Sequence, residues 1–175
     1  MRTALNKCAL LLALCLVLAG LIGFFLWRDR PLALDPAQLA LSDNQRGLSS
    51  PEAELALDIR PGRIDLSLTN LGRESLFSGA SVGSENRLFT GGEIEVLLNG
   101  RWYQVPQERY ASAGVGIELG PGESFQAEVF LNPARRLPDG QYRFSFGYQY
   151  GERLLRHISC ARFDVARGRY VQPAG

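Results

Sequence analysis

Beyond residue 52, apolar and polar side chains alternate with a period of two, the pattern of strands that keep one face dry and the other wet. Leu55, Leu57 and Ile59 alternate with Ala56 and Asp58, and after the Pro61-Gly62 turn Ile64, Leu66 and Leu68 alternate with Asp65, Ser67 and Thr69. Ile94, Val96 and Leu98 alternate with Glu93 and Glu95, which the pattern sends to solvent. That strand runs into Asn99-Gly100, a pair that tolerates the positive φ angles of a two-residue hairpin turn. The turn predicts the register. Leu98 falls opposite Arg101, Val96 opposite Tyr103 and Ile94 opposite Val105, which leaves Leu97 and Trp102 together on the other face.

Further along, Phe125, Ala127, Val129 and Leu131 alternate with Gln126 and Glu128. Tyr142, Phe144, Phe146, Tyr148 and Tyr150 alternate with Gln141, Arg143, Ser145, Gly147 and Gln149, and supply an aromatic core. A last strand, from about Leu154 to Val165, changes phase near Cys160, where a β-bulge is expected. About seven short strands separated by Gly- and Pro-bearing turns, with no convincing helix among them, predict an all-β sandwich. No period of 20 to 50 residues repeats, which excludes a solenoid or propeller.

The N-terminal pattern is different. From Cys8 to Trp27 the chain has 20 consecutive uncharged residues rich in Leu, and a helix of that length spans roughly 30 Å, the thickness of a bilayer's hydrocarbon core. Cleavage as a signal peptide after Val17-Leu18-Ala19 is the competing reading, but it would leave the apolar Gly20 to Trp27 on the product, so an uncleaved signal-anchor is favoured. The short basic N-terminus, with Arg2 and Lys7, predicts that residues 1–7 stay in the cytoplasm and the rest of the chain lies outside. Residues 28–51, with Pro31, Pro36, Pro51 and the polar run Ser42-Asp43-Asn44-Gln45, read as a linker. A sandwich domain is expected over 52–166 and a C-terminal tail over 167–175.

Composition narrows the function. Nineteen Lys plus Arg against 18 Asp plus Glu give a net charge of +1, which argues against a nucleic-acid partner. Cys8 and Cys15 lie in the apolar run, so Cys160 stands alone in the sandwich, no internal disulfide is available there, and a core thiol is expected. His157 is the only histidine. A multi-histidine metal site is therefore excluded and a Ser-His-Asp triad would rest on that one position, which reads as a surface or edge histidine. No cofactor motif occurs: the glycine-rich stretch from Gly114 to Gly120 lacks the dinucleotide-binding spacing and precedes no helix.

Four stretches taken in order resemble a bacterial immunoglobulin-like domain of extracytoplasmic proteins. They are Ile64 to Asn70, the hairpin from Leu98 to Pro106, Glu118-Leu119-Gly120-Pro121-Gly122-Glu123, and Leu137-Pro138-Asp139-Gly140-Gln141-Tyr142-Arg143-Phe144. The resemblance implies a Greek-key sandwich over residues 52–166 in which Tyr142 forms a tyrosine corner and Phe144 stands where related domains place a disulfide cysteine. The fold hosts many partners and has no common active site, so it carries no activity with it.

These readings predict a single-pass protein of the bacterial cell membrane, its sandwich extracytoplasmic, acting as a binding or interaction module without catalysis and without a cofactor. The partners expected are the membrane, through the N-terminal helix, and an envelope protein or wall polymer. A structural spacer or accessory subunit of an envelope complex is the alternative, and an exported protein with a cleaved signal peptide a further one. The candidate contact residues are Leu97 with Trp102, as an apolar patch, and Arg153 with Arg156, within a stretch, residues 133 to 169, that holds eight Arg against three acids. Burial of Leu97 and Trp102 under a neighbouring loop is an equal expectation for the first pair.

Overall fold

The computed structural model describes residues 14–24, 31–82, 87–90, 92–107, 116–129, 136–151 and 156–173. The strands in chain order are β1 (Ala53–Arg60), β2 (Arg63–Asn70), β3 (Leu76–Ser78), β4 (Ser81–Val82), β5 (Arg87–Thr90) and β6 (Gly92–Leu98). They continue with β7 (Arg101–Gln104), β8 (Ile117–Leu119), β9 (Ser124–Val129), β10 (Gly140–Tyr150), β11 (Arg156–Ala166) and β12 (Arg169–Val171). The strands beyond the seven expected are short pieces such as β3, β4 and β12, of two or three residues. Strands of that length are too brief to show an alternation.

Two sheets form. Sheet B has the order β1-β2-β9-β5-β4, and in sheet A the path β12-β11-β10-β3-β8 is joined by β6, which pairs with β10, and by β7, which pairs with β6. The fold is therefore the all-β two-sheet architecture that the alternation predicts. The core lies between the inner faces. Leu55, Ile64, Leu66, Leu68, Ala127 and Val129 come from sheet B, and Ile94, Val96, Phe144, Phe146, Phe163 and Val165 from sheet A, all buried. The aromatic contribution of β10 is as expected, with Tyr142, Phe144, Phe146 and Tyr148 each at most 3% exposed.

The β6–β7 hairpin takes the predicted register, Leu98 opposite Arg101 and Val96 opposite Tyr103. Asn99 and Gly100 have φ of 51° and 75°, as a two-residue turn that matches strand twist requires. The bulge expected near Cys160 is absent. Pairing of β10 with β11 runs unbroken from Gly140 opposite Val165 to Gln149 opposite Arg156. Ser159, Phe163 and Val165 are buried on the inner face, while Ile158 and Cys160 lie on the other face, which is itself covered. Apolar residues at outward positions made an in-phase strand look out of phase.

The cover is the segment expected to be a free linker. Residues 40–42 pair antiparallel with β7: Gln104 N–H donates to Ala40 O at 2.8 Å, Ser42 N–H to Trp102 O at 3.0 Å, and Leu41 bridges Tyr103. The chain then crosses the outer face of sheet A and reaches the far side at β11, where Ser50 N–H donates to Ile158 O at 2.9 Å. Residues 40–50 are thus a strap on the sandwich, and the linker assignment is corrected over that stretch. Ahead of the strap, Asp35 opens a turn over residues 36–38, its Oδ1 accepting from Ala37 N–H at 3.0 Å. The tail assignment over 167–175 changes too. Arg167 and Gly168, with φ of 53° and 68°, turn the chain into β12, which pairs with β11.

Residues 14–24 are helical. The remainder of the span expected over 8–27 lies outside the described residues, and among the described residues no helix is long and apolar enough to cross a membrane.

Candidate functional site

Under the strap lies a buried ionic cluster. Arg143 on β10 and Glu95 on β6 are cross-strand neighbours on the outer face of sheet A, and their side chains are 1% and 3% exposed. Arg143 Nε donates to Glu95 Oε2. Ser145 Oγ donates to the same oxygen at 2.9 Å, and Ser42 Oγ to Glu95 Oε1. Arg143 Nη2 donates to Asn44 O and, at 3.2 Å, to Ser42 Oγ. The guanidinium carbon sits 4.3 Å from the centroid of the Trp102 ring, a cation–π stack. A charge pair withdrawn from water persists only where its remaining valences are met. Here the strap supplies most of them through Ser42 and Asn44.

The strap's other contacts hold it in place along both sides of the sheet. Gln45 Nε2 donates to Trp102 O at 2.8 Å and Gln45 Oε1 accepts from Trp102 N–H at 3.0 Å. Ser49 Oγ accepts from Cys160 N–H at 2.9 Å, and Asn44 Nδ2 donates to Cys160 Sγ at 3.4 Å. Gly47 has a φ of 64°, and a Cβ there would come within 2.6 Å of Arg143 Nη1. That position therefore needs glycine for conformation and for space.

Several sequence expectations change here. Glu95 is buried, where alternation placed it in solvent beside Glu93; Arg143 and Ser145 share that reversal. Among the described residues of the arginine-rich stretch, Arg143 is inside, paired with Glu95. Trp102 is 6% exposed and forms no surface patch, and Leu97 is half-buried beside it. Arg153 lies outside the described residues. Arg156 is exposed, its Nη2 3.9 Å from Glu93 Oε1. Cys160 is a half-buried free thiol under the strap, away from the aromatic core. Tyr142 donates its hydroxyl to Pro138 O at 2.8 Å.

His157 lies on the inner side at one end of the sandwich. It is half-buried, Nδ1 3.5 Å from Glu52 Oε2, and its ring stacks on Tyr148 with centroids 5.7 Å apart. Neither a serine nor a cysteine is hydrogen-bonded to His157 among the described contacts, so no nucleophile–base pair is formed there. Among the described residues no group of His, Cys, Asp and Glu is arranged to hold a metal ion.

A groove of about 410 Å³ lies on sheet B, and its lining includes Asp58, Arg60, Arg63, Asp65, Ser67 and Glu128. Its carboxylates form a row across three strands: Asp58 is opposite Asp65, and Asp65 opposite Glu128. Guanidiniums interleave with them, Arg60 to Asp58 at 2.7 Å, Arg63 to Asp65 at 2.5 Å and Arg87 to Glu128 at 3.7 Å. Like charges across a ladder repel, and the interposed arginines make the row tenable. Arg63 is held further into the protonated range by its hydrogen bond to Asp65.

No protein-family model matches the chain, and no curated protein matches it.

Proposed function

We propose that this chain is a single-pass protein of a bacterial cytoplasmic membrane that displays an immunoglobulin-like sandwich outside the cell as a non-catalytic interaction module. The observation that carries the anchoring is the helix over 14–24, whose Leu14, Leu16, Val17, Leu18, Leu21 and Ile22 are 49 to 66% exposed. Apolar side chains on every side of a helix call for an apolar medium around it, and in sequence the uncharged run extends from Cys8 to Trp27. Support for the immunoglobulin-like reading comes from the neighbour sets β1-β2-β9 in one sheet and β11-β10-β6-β7 in the other, together with the Tyr142 hydroxyl bonded to backbone four residues upstream.

The groove on sheet B is the face we assign to the partner, an envelope protein or wall polymer. Its alternating guanidinium and carboxylate groups suit a polar surface bearing both charges, which specifies orientation as well as contact. Fractionation with alkaline extraction, followed by protease treatment of intact spheroplasts, tests the topology. The full-length chain stays with the membrane and its sandwich is cut from outside; recovery in the cytoplasm sinks the reading. A photo-crosslinking residue at Ser67 yields a discrete adduct in cells, whereas one at exposed Arg169 does not. Equal labelling from the two positions removes the groove from the account.

A further inference from the structure

We infer that residues 40–50 are a latch, which lifts off sheet A as one unit while both sheets remain folded. What the strap covers and how it is held both favour release. Its own large apolar residues, Leu41 and Leu48, point to solvent at 48% and 64% exposure, so it gains little hydrophobic hold from the sandwich. Its attachments are the hydrogen bonds of Ala40, Ser42, Asn44, Gln45, Ser49 and Ser50, each of which water can replace. Segments with few buried apolar contacts open at a fraction of the global unfolding free energy.

The surface beneath is ready for water. It carries Glu95, Arg143 and Ser145, and Arg143 Nη1 is buried with no hydrogen-bond partner. Hydrating a desolvated ion pair offsets much of the loss when its cover leaves. Of the aromatic residues of β10, which face the opposite way, Phe144 and Phe146 are packed between the sheets, while Tyr148 shares a side-chain hydrogen bond with Ser50 at the end of the strap. Opening uncovers the charged pair, one side of the Trp102 ring and two strand edges, since the strap pairs with β7 at one side of the sheet and caps β11 at the other. Exposed strand edges accept extended chains from elsewhere. The strap therefore controls access to sheet A, independently of the groove on sheet B.

Amide exchange followed by NMR on the full-length chain in detergent micelles tests this. Five amides report on the strap from both sides: Ser42 and Ser50 within it, and Trp102, Gln104 and Cys160, whose N–H groups it accepts or whose strands it edges. They are expected to exchange through a common opening, at least tenfold faster than the amides of Phe144 and Phe146, with no dependence on low urea. Gly47→Ala, which crowds Arg143, raises all five by tenfold or more and leaves β10 unchanged. If that variant does not fold, Ser49→Ala removes two attachments at β11 and is expected to act in the same direction. Five unrelated rates, or five that match β10 in rate and urea dependence, overturn the latch.

Discussion

Arg143 and Glu95 face each other from adjacent strands on the side of sheet A that alternation assigns to water, yet both are buried as an ion pair. Removing one partner strands the other charge. Glu95→Ala is expected to destabilise the protein by about 3–5 kcal/mol, and replacing both with apolar side chains, E95L with R143M, to recover most of that loss. Urea unfolding of the single and double variants gives the comparison. A double variant as weak as the worse single one shows that the pair itself, rather than the penalty of an orphaned charge, sets stability.

In the core, Phe146 is 0% exposed between the sheets. Phe146→Ala leaves a cavity and is expected to lower stability by about 3–5 kcal/mol, with the midpoint of chemical unfolding falling and its slope unchanged.

Burial raises the ionisation of Tyr142, Tyr148 and Tyr170 above the ordinary phenol range, and for Tyr142 the charge on Asp139 adds to it. A raised folded value binds the proton more tightly in the native state. The contribution is full below the unfolded phenol value of about 10 and is lost as pH climbs through the folded values. Absorbance at about 295 nm should show these three of the six tyrosines ionising late, together with loss of the β-sheet circular dichroism. Early ionisation of all six in a folded chain would contradict the burial.

At the C-terminal hairpin, Asp139 accepts from Arg167 N–H at 2.9 Å and Gly168 N–H at 3.1 Å. Those bonds hold its carboxyl below the usual range, so the stabilisation is present above the unfolded carboxylate value and disappears as pH falls through the folded one. Asp139→Ala is expected to loosen the turn and β12 at neutral pH, as acid does in the native chain. Faster amide exchange at Tyr170 with β10 unaffected reports it; an unchanged rate shows that the pairing with β11 suffices.

How much of this was legible depends on which face of a strand is considered. The inner face was readable because Leu66, Leu68, Ile94, Val96 and Phe144 bury themselves on a period of two, and the register at Asn99-Gly100 followed from turn chemistry alone. The outer face of sheet A was not, because its cover is polar and comes from residues 53 to 116 positions away. Ser42 and Asn44 look like linker residues until something is known to lie beneath them. A signal did exist. Ile158 and Cys160 are apolar at positions that the pattern sends outward, and Arg143, Ser145 and Gly147 alternate charged with small side chains, as under a close-fitting chain. Taken as a bulge, the first of these pointed away from the strap. The groove on sheet B was hidden for another reason: Asp58, Asp65 and Glu128 become neighbours only through strand pairing.

The sandwich closes without a disulfide, and its single thiol, on Cys160, is engaged by Asn44 and Ser145 through weak hydrogen bonds. Its folding is consequently indifferent to the redox poise of its surroundings. The domain should mature equally well in oxidising and in reducing surroundings and keep its shape in reductant. Correct folding inside a reducing cell thus reveals nothing about the address to which the chain is finally delivered.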